Sequence, residues 1–484
     1  MRTLPSPSEL PYDKTSATSI FEYSKGLLEK TLREFAWEGY VPKKGKGALG
    51  QMVENIYFLL ETNSNPASDF SEAGLELKCT PLKRGTKSQY LIKERLVCNM
   101  IDYYEVANQD FEHSHFFLKC QLMLILFYLH QSGCDHLDLK FIFSVLWRLP
   151  EKDLLIIRQD YEVIRNKVLR GEAHLLSEGD TEYLGACRKG QKGDEPVQQP
   201  FSTERANKRA FSLKPAYMRT ILDYIQIHEN NAVSNYTYEV KDVQLFETEE
   251  LRVQTLDNIL LGRLNQHVGK SYFELCEAIG KRYDSDKSKY AHIASKLIDE
   301  RIGNVNLTEE FKKAGLQLKT IRIESNGTIN ESMSFENIDY LEVFENDWWP
   351  DSRLYEIFSG RFLFVTFKAD GGSLTYLNKK GIEVTENTYT LDRAFFWTMP
   401  QEDLDWAEKY WNHIKDNILA NHISEEYWWK GTDKKKFHVR PKAQKAKNLA
   451  PTPNGGRAKK YCYWFNNDYV REIIDSRNIE RNNG

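Results

Sequence analysis

Asp69, Glu76 and Lys78 stand in the spacing D-x6-E-x-K, within Asp69-Phe-Ser-Glu-Ala-Gly-Leu-Glu76-Leu-Lys78. On a strand, Glu76 and Lys78 are two apart, so their side chains share one face and Leu77 points the other way. Asp69 must fold back across the strand end to meet Glu76. Two carboxylates and a backbone carbonyl, that of Leu77, suit Mg²⁺, a hard cation that keeps several waters and takes few protein carboxylates. Such an ion polarises a phosphodiester and lowers the pKa of a bound water. A lysine beside it can orient that water and stabilise charge on the phosphate.

The same phrase returns in damaged form. Glu310-Phe-Lys-Lys-Ala-Gly-Leu-Gln317-Leu-Lys319 keeps the frame, but an amide replaces the central carboxylate. A neutral amide is a much poorer ligand for a hard cation. The pair predicts a duplicated unit with one working half and one half kept for another purpose.

The elements that must position these groups can be read around them. Leu49, Val53, Ile56, Tyr57 and Leu60 recur at helical spacing. Glu54 lies beside that apolar stripe and can face a metal site, as support or at a second cation. Downstream come Glu112-His-Ser114-His-Phe-Phe-Leu-Lys119 and the apolar run Leu122 to Leu129. That run is too short to cross a bilayer, which takes ~20 residues, and reads as a buried strand.

The combination resembles the MutH-like endonucleases: the mismatch-repair strand-nicking enzyme and the GATC-specific type II restriction endonucleases built as tandem copies of it. The resemblance rests on Lys46-Gly47 and Glu54, Asp69 to Lys78 with Pro81, and Ser114 with Lys119. It continues through Glu182-Tyr183-Leu184 with Lys189 and through Phe211-Ser-Leu-Lys214-Pro-Ala-Tyr217-Met-Arg219. Lys93-Glu94-Arg95-Leu96-Val97 is similar to the restriction-type members, as is the total length. The resemblance implies Mg²⁺-dependent cleavage of double-stranded DNA at GATC. It implies that Lys119 couples base recognition to catalysis, and that Arg188, Lys189, Lys214 and Tyr217 contact DNA.

Composition agrees without announcing nucleic acid. Seventy acidic and 66 basic residues give a formal charge of −4, so DNA affinity must come from local clusters. Lys43, Lys44 and Lys46 form one such cluster. Seven cysteines without zinc-type pairing fit a reducing compartment and a cytoplasmic protein. The N-terminus lacks the apolar core of a secretory signal, and no membrane segment is expected.

Residues 1–40 read as an entry arm with a helix from about Ser19 to Glu38. The first, catalytic unit is expected to span 1–235 and the inactive second unit 236–484. In the second copy, Lys296 takes the Glu54 position, Gln317 that of Glu76, and Asp351-Ser352 that of His113-Ser114. Ile357 takes the Lys119 position, and Glu310 conservatively replaces Asp69. The apolar frame persists in Phe362 to Phe367. Phe437-His-Val-Arg440-Pro-Lys442-Ala-Gln-Lys445 resembles the family's R-P-K-A DNA-contacting loop, which predicts DNA contact by Arg440, Lys442 and Lys445. The fold expected is α/β (α+β), with two tandem restriction-endonuclease-like domains, each a mixed sheet flanked by helices. The free protein is expected to be a monomer, with a dimer or a two-site complex on DNA left open. Two alternatives are a mismatch-repair nicking enzyme, which the duplication disfavours, and a non-cutting DNA-binding regulator, which the intact Glu54, Asp69, Glu76 and Lys78 disfavour.

Overall fold

In the computed structural model the chain forms two compact units. One comprises the residues up to Thr255 with Lys312–Ala314; the other comprises Leu256–Phe311 and the residues from Gly315 on. The structure describes residues 9–43, 45, 47–61, 67–85, 89–189, 195–228, 244–281, 288–377, 381–441 and 449–483. The boundary expected near 235 lies outside them. The fold is mixed α/β, with helices around several small sheets. Among the described residues, no helix is long and apolar enough to cross a membrane.

The first unit is organised by strand β1 (Glu76–Arg84). It pairs with the short β2 (Tyr90–Ile92), which precedes β3 (Leu96–Met100), and with β4 (Leu122–Leu129); β5 (Phe141–Arg148) completes a sheet in the order β2-β1-β4-β5. β1 and β4 run parallel, with Glu76 opposite Met123 and Lys78 opposite Ile125. A parallel strand inside a sheet is covered on both faces, which is why Leu122 to Leu129 is an unbroken apolar run. Leu77, Leu124 and Leu126 pack on one face against Met52, Val53, Ile56 and Phe58. That leaves the opposite face of β1 to Glu76 and Lys78. A second sheet sets β3 beside β7 (Arg209–Leu213) and β6 (Leu184–Arg188).

The second unit repeats this plan. β8 (Gln317–Ile323) corresponds to β1, and β9 (Met333–Asn337) to β3. β8 runs parallel to β10 (Arg361–Leu377), which pairs antiparallel with β11 (Glu383–Thr398). The β3-β7-β6 sheet is echoed by β9, β15 (Cys462–Phe465) and β12 (Phe437–Arg440), joined by the two-stranded ribbon β13 (Leu449–Pro451) and β14 (Arg457–Lys459). The duplication extends to single bonds. The helices Glu151–Leu169 and Gln401–Leu419 are both 19 residues long and both follow a proline. In the first, Asp153 accepts a 2.7 Å bond from the Tyr217 hydroxyl; in the second, Asp403 accepts one of 2.7 Å from Tyr469.

One expected element is shorter than its sequence pattern. The helix predicted over Ser19–Glu38 is Ala17–Ser24, followed only by single turns at Lys25–Leu27 and Leu32–Glu34. Glu29 adopts a left-handed φ of 61°. Its amide donates to the Phe141 carbonyl at 2.8 Å, and the Phe141 amide donates to Lys30 at 3.0 Å. Pairing with the sheet edge competes there with helix continuation and wins.

Candidate active site

Glu54, Asp69, Glu76, Lys78 and Lys119 approach one another from two helices, strand β1 and the turn before it. Glu54 sits on a helix that opens at Gly47, whose φ of 87° suits glycine. After Ala48–Met52 this helix widens into a π turn, Val53–Tyr57. Such turns insert a residue and re-aim side chains, and they recur at functional sites. Val53, Ile56 and Tyr57 go into the core, and Glu54 stays half-buried at its edge.

Asp69 is held by the strand it serves. A tight reversal bonds Phe70 and Leu75 in both directions, at 3.0 and 3.2 Å. Asp69 Oδ2 then accepts the Leu77 amide at 2.9 Å. Glu76 is only 2% exposed. Its Oε1 receives Lys78 Nζ at 2.6 Å and Lys119 Nζ at 3.3 Å. Its Oε2 is buried, with no hydrogen-bond partner among the described residues. Lys78 Nζ donates also to the Cys98 carbonyl at 3.0 Å, which ties β1 to β3.

The electrostatics reflect this crowding. Burial, then repulsion from Asp69 and Glu76, pushes the Glu54 carboxyl up to about 7. Burial and Glu76 also raise Asp69, against the Leu77 amide, which favours its charge. Burial disfavours the Lys78 ammonium, but the Glu76 carboxylate prevails and holds it protonated beyond its ordinary range. Glu54 and Asp69, both raised beside Glu76, require positive charge before they can ionise readily.

An oxygen-seeking cation fits these residues. Glu76 Oε2 is a buried acceptor that no hydrogen-bond donor among the described residues satisfies. Among the described residues no three acidic, histidine or cysteine groups are gathered as a ready-made metal cage. Mg²⁺ does not require one, since it completes its shell with water and substrate oxygens.

The Glu54 shift makes a prediction for the metal-free protein. Between pH 4.5 and about 7 the folded state keeps a proton that the unfolded chain has released. Stability should therefore fall as pH rises through that window. In EDTA, Glu54→Gln should flatten this limb of the Tm–pH curve; an unchanged slope would assign the effect to another group.

Lys119 depends on a cap. Ser114 Oγ accepts from the Phe117 amide at 3.1 Å and donates to the Phe111 carbonyl at 2.6 Å, starting the helix His115–Cys120. Ser114→Ala should cost about 1–2 kcal/mol in urea unfolding. It should also slow cleavage under conditions where the variant remains folded, because the helix carries Lys119; Ser114→Thr should recover both. Equal loss in the alanine and threonine variants would show that the cap is not what matters.

The second unit lacks this assembly. Ser352 caps the helix Arg353–Ser359 as Ser114 caps its own, but the lysine position holds the buried Ile357. Lys319 Nζ donates to the Ser334 carbonyl at 3.0 Å, echoing Lys78 and Cys98. Lys296 donates at 2.6 Å to the carbonyl of Glu300, in the turn that follows its helix. The expected exchange of Asp69 for Glu310 is corrected. Glu310 is buried on the helix Glu309–Ala314, and Asn306 takes over the clamp: its Oδ1 accepts the Leu318 amide at 2.7 Å. No motif in the sequence marked Asn306, because its role comes from where a loop lands.

The expected DNA contacts divide. Lys214 is buried and donates to the Thr181 carbonyl, and Tyr217 is fully buried on Asp153. Both polar ends are used inside the fold, so neither is carried forward as a DNA contact. Asn466, at the Lys214 position, does the same work by donating to the Gly431 and Lys435 carbonyls at 2.9 and 3.2 Å. Arg188 is exposed, 3.4 Å from Asn207, and Lys189 is half-buried beside it. Arg440 is exposed, its guanidinium 3.8 Å above the Trp464 ring centroid. Lys46, Lys442 and Lys445 lie outside the described residues.

The carboxylate–lysine cluster lies on a strand of a mixed sheet, and comparison with known proteins gives the class of protein that the chain is similar to. The MutH family, described as DNA mismatch repair enzyme MutH, matches residues 58–160. The type II restriction enzyme Sau3AI of Staphylococcus aureus is 29% identical, covering 90% of this chain and 93% of that protein. The DNA mismatch repair protein MutH of Shewanella woodyi is 26% identical over 37% of this chain and 77% of its own length; that of Buchnera aphidicola is 21% identical over 35% and 78%. The chain is a site-specific DNA endonuclease that carries a MutH-like domain at residues 58–160.

Proposed function

We propose that the first unit hydrolyses phosphodiester bonds of duplex DNA at GATC with Mg²⁺, and that the second binds another GATC duplex without cutting it. The observation that carries this is the contrast at one strand position: Glu76, gripped by two lysines with one oxygen unsatisfied, against Gln317. The GATC preference rests on the family resemblance. A mismatch-repair nicking role is disfavoured because the MutH relatives span little more than a third of the chain, whereas the restriction enzyme spans nearly all of it.

Asp69 and Glu76 would hold Mg²⁺ with the Leu77 carbonyl, and Glu54 would support the site or a second ion. When bound, the ion supplies polarisation of the phosphodiester and a more acidic water. Lys78, kept charged by Glu76, orients the attacking water and offsets charge growing on the phosphate; as an ammonium it is not the base. Lys119 joins the capped helix to Glu76, so movement of that helix on DNA is felt at the carboxylate. Arg188, Lys189 and Arg440 remain available for phosphates. The free protein is a monomer in this reading, and it engages two duplexes.

Sequencing the ends of cleaved DNA, with and without EDTA and with adenine- and cytosine-methylated substrates, tests the reading. Ends that all fall at GATC and vanish in EDTA are expected. Ends scattered over sequence would overturn the specificity.

A further inference from the structure

The second unit keeps a cleft where its catalytic centre would be. A cavity of about 340 Å³ is lined by Gln317, Lys319, Phe335, Glu336 and Asn337. Lys319 is anchored on the Ser334 carbonyl at 3.0 Å, with its ammonium 4.6 Å over the Phe335 ring. The one lining carboxylate, Glu336, is gripped through both oxygens by Arg353, one bond being Nε to Oε2 at 3.0 Å. Arg353 also pairs with Glu356 at 2.6 Å, so it answers the Glu336 charge only in part.

Comparing the two clefts shows a paired loss. In the first, Glu76 lies between Lys78 and Lys119, with Asp69 and Glu54 beside them, so carboxylates outnumber lysines three to two. In the second, Gln317, Lys319 and Ile357 leave one lysine and no carboxylate at the corresponding positions. Compared with the first, the central carboxylate and one of the two lysines are both lost. Both changes together keep one lysine to attract an anion and remove the central group that repels it. A carboxylate in such a cleft admits a phosphate only with a cation between them. An amide does not repel it, and its NH₂ can donate to a phosphate oxygen.

We propose that the cleft around Gln317 and Lys319 seats a backbone phosphate of an uncut duplex without a divalent cation. This rests on the reading that the second unit binds DNA.

The test uses the full chain carrying Glu76→Gln, so that nothing is cut, with a fluorescent duplex containing one GATC in EDTA. Two duplexes should bind per chain. Lys319→Ala should weaken one of them about tenfold or more and reduce the salt slope by about one. Because that change also breaks the bond to Ser334, Gln317→Glu is the second variant. It should weaken the same site in EDTA and regain affinity on addition of Mg²⁺. Arg440→Ala separates the two levels of the argument. If it removes the second duplex while Lys319→Ala and Gln317→Glu change neither affinity nor slope, the phosphate seat is overturned and DNA binding by this unit stands. If only one duplex ever binds, the underlying reading falls and the seat with it.

Discussion

Glu76→Gln should lower the single-turnover cleavage rate by about a thousandfold or more, the scale seen when a group serving transition-state charge is removed. Duplex binding should survive. The change gives the first unit the residue already present at Gln317, and it removes the carboxylate on which Lys78 and Lys119 converge. The amide cannot anchor a hard cation, but it also repels no phosphate. Lys78→Ala should behave alike, since the ammonium that orients water is lost while β1 still buries Leu77. Rapid-quench cleavage and fluorescence anisotropy on the same preparations would separate the two effects. Near-normal cleavage by either variant would rule out this site.

The second large effect concerns what the second unit does for the first. DNA bearing two GATC sites should be cut faster than DNA bearing one, within the roughly 5- to 150-fold range typical of coupling between sites. If one unit holds a site while the other cuts, tethering makes the second encounter intramolecular. If DNA on the second unit instead shifts the first into a competent state, a short uncleavable GATC duplex should activate one-site cleavage in trans. Arg440→Ala should abolish the advantage in either case, because its guanidinium lies exposed on Trp464 at the end of β12. Equal rates on one-site and two-site plasmids, with no response to added duplex, would leave the second unit as a scaffold.

Much of the site was legible because strand geometry is strict. Once Glu76-Leu77-Lys78 is read as a strand, alternation alone puts Leu77 in the core and the charges together. The apolar run Leu122 to Leu129 then has to be the neighbouring buried strand. Loops carry no such rule. Asn306 clamps Leu318 from a segment whose sequence resembles nothing around Asp69. Lys214 and Tyr217 read as surface residues of a DNA-facing segment, yet a strand end and the first turn of a helix turn both inward. The Ser19–Glu38 helix fails for a related reason: local propensity favoured it, and pairing of Glu29 and Lys30 with Phe141 overrode it. The closeness of Lys119 to Glu76 depends on how a capped helix packs, which spacing cannot fix.

The most direct measurement is digestion of a supercoiled plasmid carrying GATC sites, comparing the wild-type chain with Glu76→Gln over a Mg²⁺ titration. The account predicts double-strand cuts by the wild type that rise with Mg²⁺ and disappear in EDTA, and intact plasmid, bound but uncut, with Glu76→Gln. Cutting without divalent metal, or full cutting by Glu76→Gln, would contradict it.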